Sequence, residues 1–260
     1  MRAPEFRSIT IPGVHRSRRV LLRALACSAA LGALAVRAAV PQPSAAEILA
    51  RAKASTGGAA WDALRSQHTK VSIVAGGREA TAERWASILT GRSRMRVEVN
   101  GMVAFTGFDG FAPWSQEGGR QPSIDADPMT LRLAINAAYR DRLAFWYPQR
   151  HGAAIEYAGR ESADGGAFDV IAITPEGGMR YELWVSAATH RIERLREPEY
   201  AGMRTEMFGD FREVQGITVP FTVRVARDDP KFDERYTVDL LEYNVPLDGI
   251  EFSPVTAGRR

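Results

Sequence analysis

A chain of 260 residues that is 45% hydrophobic can bury one sizeable core, and its formal charge of +3 points at first to an acidic partner. The first 38 residues hold seven arginines and one acid; without them 27 Lys+Arg face 30 Asp+Glu, which removes the main support for a nucleic-acid-binding face. The only cysteine, Cys27, lies in the same stretch, so the rest of the chain has no disulfide, thiol nucleophile or cysteine-held zinc.

In chain order, Arg16, Arg18 and Arg19 precede an apolar run over Val20–Val36, and small-x-Ala cleavage signals end at Ala35 and Ala38. This is the pattern of a signal peptide over 1–38, which leaves no transmembrane span once removed. Ser17-Arg18-Arg19-Val20-Leu21-Leu22-Arg23 fits the twin-arginine export route, and ordinary Sec export fits equally. Periplasmic residence follows by either route. A linker over 39–44 then leads into one domain over 45–255, with a tail over 256–260.

Ser44-Ala45-Ala46-Glu47 is a capping box that predicts a helix from Ala45 to Ala54, stopped by Gly57-Gly58. A short helical piece over 59–65 would bring Trp61 and Leu64 to the core. From Thr69 the hydrophobic period falls to two, and Arg94–Val99 alternates charged and apolar residues throughout. Turn pairs at Gly76-Gly77, Asn100-Gly101, Asp109-Gly110, Gly118-Gly119, Gly165-Gly166, Gly177-Gly178 and Gln215-Gly216 mark an antiparallel meander. In Gly107–Gln116 the Asp109-Gly110 pair predicts a type I′ hairpin with Asp109 in the left-handed region; too few carboxylates stand nearby for a metal loop.

Asp127-Pro128 reads as a helix cap and first position, and apolar residues at helical spacing run on to Trp146 before Pro148. Strands resume over 153–159, 168–174, 179–185, 191–196, 204–211, 217–226 and 235–243. The expected fold is therefore mainly β with α: a single curled antiparallel sheet of about 11–12 strands forming an open half-barrel, with helices as its lid.

Gly91-Arg92, Gly107-Phe108-Asp109-Gly110 with Trp114-Ser115-Gln116, and Tyr181–Val185 followed by Ala188-Thr189-His190 resemble the LolA/LolB-like periplasmic lipoprotein carriers. Phe208-Gly209-Asp210-Phe211 with Val219-Pro220-Phe221, and Pro246-Leu247-Asp248 with Phe252, extend the likeness over most of 45–255. A nearer resemblance is to the exported domain that precedes retropepsin-like aspartyl proteases in some bacteria. No Asp-Thr-Gly or Asp-Ser-Gly occurs here, so no protease activity carries over.

The resemblance implies an apolar cavity under a helical lid, with a lipid or acylated protein as cargo. Trp85, Met95, Val97, Phe105 and Trp114 are the cavity candidates on the sheet, with Leu131, Ile135 and Trp146 on the lid. Alternation does not say which face is concave, and packing without a cavity is the competing reading. Arg92 matches the family arginine that locks the lid onto backbone carbonyls; Arg94 and a plain solvated arginine are its rivals.

His15, His68, His151 and His190 lack metal-ligand spacing, and no metal site or cofactor is expected. Asp228, Asp229, Asp233 and Glu234 read as a hairpin tip, and Asp125 and Asp127 as helix capping. There is no Gly-x-Ser-x-Gly, His-Glu-x-x-His or phosphate loop. The sequence thus points first to a non-enzymatic exported binding module. An envelope protein-interaction module comes second, and an enzyme third.

Overall fold

The computed structural model describes residues 42–200 and 202–254. The leader over 1–38, with Cys27 and the twin-arginine stretch, and the tail over 256–260 lie outside them.

The first helix, α1, is Ala45–Ser55. The Glu47 N–H donates to the Ser44 hydroxyl at 3.2 Å, and the Ser44 N–H donates to the Glu47 carboxylate at 2.7 Å, so the predicted capping box forms. A 3₁₀ segment, Gly58–Ala63, replaces the helical piece expected over 59–65, and it does bury Trp61.

Six strands follow: β1 (Ser66–Ala75), β2 (Arg78–Ser87), β3 (Ser93–Val99), β4 (Met102–Phe108), β5 (Pro113–Glu117) and the two-residue β6 (Ser123–Ile124). After α2 (Pro128–Asp141) and a 3₁₀ turn at Ala144–Trp146 come β7 (Ala153–Ala163), β8 (Gly166–Pro175) and β9 (Tyr181–Ser186). The chain closes with β10 (Ile192–Glu199), β11 (Gly202–Val214), β12 (Ile217–Ala226) and β13 (Glu234–Tyr243).

All thirteen strands of the described residues join one antiparallel sheet in the order β6-β5-β4-β3-β2-β1-β13-β12-β11-β10-β9-β8-β7. Two meanders spread outward from a central β1–β13 pair, and β6 and β7 are left as the edges of an unclosed, curled sheet. The expected half-barrel is present. The chain must travel from the β6 edge to the β7 edge, and α2 makes that journey across the concave face.

Local turn chemistry explains the meander. Gly76-Gly77, Asn100-Gly101, Asp164-Gly165 and Gln215-Gly216 all carry two positive φ angles between paired strand residues, as two-residue type I′ turns require. Asp109-Gly110 does not follow that pattern. Asp109–Ala112 is a four-residue loop between the paired Phe108 and Pro113. The Asp109 carboxylate accepts the N–H groups of Phe111 and Ala112 at 2.8 Å each, and only Gly110 has positive φ, at 101°. Asp109 is thus a side-chain cap of the loop rather than a left-handed residue.

The Asp127 carboxylate accepts the Thr130 N–H at 2.8 Å, with Pro128 in the first turn of α2. The helix stops at Asp141, short of Trp146, because Leu143 takes a φ of 52°. That break turns Phe145 and Trp146 back onto the core. One core cluster joins α1, through Ile48 and Leu49, to Ile171, Ile173, Tyr181, Leu183 and Leu195. A second joins Trp61 and Leu64 to Ile88, Ile217, Val219 and Tyr243. Leu143 and Trp146 touch both.

The segment after β13 folds back against the convex face, where the Trp114 indole N–H donates to the Phe252 carbonyl at 2.7 Å. Gly107 stands opposite Trp114, and a Cβ there would lie 2.6 Å from the indole ring and 2.7 Å from the Ser93 carbonyl. Gly107→Ala is therefore expected to lower stability by about 1–3 kcal/mol in urea unfolding. An unchanged midpoint would mean that the ring has room to move.

Candidate functional site

Cross-strand register separates the two faces of the sheet. Met95 stands between Arg84 and Thr106, and Arg84 pairs with Asp141 of α2, so Met95 faces the helix from the concave side. Val97, opposite Ala82, shares that face.

Trp85, Phe105 and Trp114 are corrections to the sequence reading, because they point the other way. Trp85 stacks on His68 at 5.0 Å, and His68 sits between Glu83 and Glu242 at 2.9 and 3.2 Å. Phe105 lies under the Arg94 guanidinium at 4.6 Å, and Trp114 is covered by the Phe252 segment. On the lid, Leu131 and Ile135 are half-buried along α2, and Trp146 contacts Trp61 at 5.9 Å.

Arg92 does not lock the lid. Its guanidinium covers Phe252 at 5.3 Å and donates to the Ser253 hydroxyl at 3.3 Å, so it pins the chain after β13. The lid is fastened by residues of α2 itself. Arg132 donates twice to the Gly178 carbonyl, at 3.0 and 3.2 Å, and the Met179 N–H donates to the buried Asn136 side chain at 2.9 Å. Arg140 makes a bidentate pair with Glu197 of β10 at 2.7 and 3.1 Å.

Glu197 opens a charged belt across the lumen. Arg204 reaches Glu206 at 2.7 Å, Glu199 at 3.4 Å and Glu197 at 3.5 Å, and Arg227 reaches Glu199 at 2.9 Å and Glu234 at 3.4 Å. Burial works against the charged Arg140 guanidinium, but the Glu197 carboxylate outweighs it and holds its pKa above the ordinary value. Every carboxylate of the belt has an arginine partner.

The belt separates two spaces. Beneath α2, a mixed cavity of about 420 Å³ is lined by Val71, Met95, Val223 and Val238 together with the Arg84 and Arg204 charges. Beyond Arg140, a smaller cavity of about 230 Å³ is almost wholly apolar. Trp61, Trp146, Leu195, Phe208, Phe211 and Val219 are among the residues of its wall. Of the cavity candidates on the sheet, only Met95 lines the first space, and of all the candidates only Trp146 lines the second. The missed wall carries a sequence signal. Phe208 and Phe211 break strict alternation, and Asp210 between them has a φ of 49°, which lets both rings reach one cavity.

The acids near Pro230 serve locally: Asp229 accepts the Lys231 N–H at 3.1 Å and Asp233 accepts the Arg227 N–H at 3.0 Å. Among the described residues no group of three or more His, Cys, Asp or Glu could hold a metal, and no helix is long and apolar enough to cross a membrane.

This architecture, a curled sheet open on one side and bridged by a helix, is that of the LolA-like fold. The chain is similar to a LolA superfamily protein from Nitrosomonas europaea, with a TM-score of 0.56 at 16% identity over 80% of this chain and 97% of that one. It is similar also to an outer membrane lipoprotein-sorting protein domain from Vibrio parahaemolyticus, with a TM-score of 0.53 at 12% identity over 80% and 95% of the two chains. A DUF1329 family protein from Desulfovibrio piger gives a TM-score of 0.51 at 14% identity over 80% and 93%. No protein-family model and no curated protein matches the sequence. At these identities the likeness defines the fold; the function rests on the site.

Proposed function

We propose that this chain is an exported, periplasmic binding module that shields an apolar ligand, such as a lipid or the acyl chains of a lipoprotein. The observation that carries the reading is the apolar cavity of about 230 Å³ walled by Trp61, Trp146, Leu195, Phe208, Phe211 and Val219. An alkyl chain entering it gains about 0.8 kcal/mol per methylene removed from water. The charged belt supports the same reading, since arginine-paired carboxylates brace the lumen instead of standing free as acids or bases. The LolA-like fold of the lipoprotein-sorting domain from Vibrio parahaemolyticus agrees with it.

The test is native mass spectrometry of protein released gently from the periplasm, followed by solvent extraction and titration with a fluorescent fatty acid. A retained apolar ligand is expected. Val219→Trp, which fills the cavity, should weaken probe binding by about tenfold or more, the worth of a few methylenes. Trp85→Ala, on the other face of the sheet, should leave it unchanged. A ligand-free mass together with no probe binding would overturn the reading and turn attention to a protein partner.

A further inference from the structure

The end of α2, with the loops around it, walls a cavity of a different character. Its volume is about 330 Å³. Thr90 comes from the β2–β3 loop, and Tyr139 and Arg142 from the end of α2. Arg150 and His151 come from the approach to β7, and Glu176 from the β8–β9 turn.

Two donors here are left open. Tyr139 is only 6% exposed, yet its hydroxyl has no hydrogen-bond partner, and the Arg142 Nε is buried without one. A buried polar atom in that condition weakens the fold. A single water could serve one of them, but its share of liquid volume is only about 30 Å³. The cavity has room for a larger group.

The two arginines also lack a direct ion pair, although Arg150 acts at longer range on Asp62. Among the described residues neither Arg142 nor Arg150 has a carboxylate within ion-pair distance; Arg150 lies over the Tyr147 ring at 4.4 Å. Burial pushes the His151 pKa below its ordinary value, and Arg142 and then Arg150 push it further. Glu176 is the one acid in the wall.

Guanidinium groups present planar forks of donors that match tetrahedral oxyanions, and a phenol adds a neutral donor. We propose that this pocket binds a phosphate group, held by the Arg142 and Arg150 guanidinium groups and the Tyr139 hydroxyl, with Thr90 and His151 at its rim. The site is separate from the apolar cavity and stands without it. The phosphate is free or belongs to a lipid headgroup. The second source is worth testing because Leu89 and Phe111, next to Thr90 and Gly110 of the wall, are 60% and 88% exposed.

The experiment titrates the full chain with inorganic phosphate, and separately with soluble short-chain phosphatidic acid and phosphatidylcholine, by calorimetry and ³¹P NMR. Arg142→Gln keeps most of the stem, and Tyr139→Phe keeps the packed ring. Each should weaken phosphate binding by about tenfold or more. Arg120→Gln, on an exposed turn, should not. Binding of inorganic phosphate that is lost in both variants supports a free-anion site. Binding of phosphatidic acid alone, lost in the same variants, supports the site and assigns the phosphate to a headgroup. No binding of either, or binding unchanged in Arg142→Gln, overturns the proposal.

Discussion

Glu197→Ala is expected to cost about 3–5 kcal/mol of folding stability, a large part of the about 5–15 kcal/mol that holds a typical domain folded. The carboxylate is 5% exposed and takes both guanidinium N–H bonds of Arg140, whose only carboxylate partner among the described residues it is. Removing it leaves the Arg140 guanidinium, only about a fifth exposed, without its carboxylate. Arg204 keeps Glu206 and Glu199, so the damage centres on Arg140. The double variant Glu197→Leu with Arg140→Leu should recover most of the loss, because no unpaired charge remains. Urea unfolding of the two variants decides the matter. A loss below about 1 kcal/mol for the single variant would mean that the belt is screened like a surface pair.

Alkaline pH should act almost as strongly. Burial raises the Tyr139 pKa to about 12. Burial also raises Tyr181, with Arg140 partly opposing, Tyr236, helped by its hydrogen bond to Glu234, and Tyr243. An unfolded tyrosine ionises near pH 10, so above that pH the unfolded chain releases phenolic protons that the folded chain still holds. The stabilisation is complete below about pH 10 and is lost as pH climbs towards the folded values. Each tyrosine contributes at most about 1.4 kcal/mol per pH unit, and the four together about 5–6. Tyr181→Phe should remove about a quarter of that slope at little cost at neutral pH, since its hydroxyl has no hydrogen-bond partner. Urea midpoints measured from neutral pH up to about pH 12 would reveal the slope. An identical slope in Tyr181→Phe would rule out that tyrosine as a source.

Much of the fold was legible in the sequence because its rules are local. The Ser44 box, the Asp127 cap and the turns at Gly76-Gly77, Asn100-Gly101 and Gln215-Gly216 depend on neighbours within a few positions, and they formed as expected; the turn expected at Gly165-Gly166 falls one residue earlier, at Asp164-Gly165, with Gly166 opening β8. β6 escaped notice because two residues carry no period. The site was far less legible. Alternation sorts Trp85 from Met95 but gives no hand to the curl of the sheet, so large aromatic side chains were assigned to the cavity that in fact serve the convex face. The cavity wall depends on a φ of 49° at Asp210 and on the φ of 52° at Leu143 that re-aims Trp146. Both are tertiary outcomes that composition does not announce. Asp109 shows the reverse case: the residue type was right for a turn, but its carboxylate, not its backbone, does the work.

The pairing of β1 with β13 sets the order in which the sheet can be assembled. Each half is a run of neighbouring hairpins with low contact order, which can form as soon as its own residues are available. The join between them closes a loop of more than a hundred and fifty residues, and it waits for Glu234–Tyr243, the last strand to be made. Until that strand arrives, β1 and β12 each present an unpaired flank that invites foreign strands. A chain threaded across a membrane amino end first would meet the new compartment with its left half nearly ready and its keystone still to come.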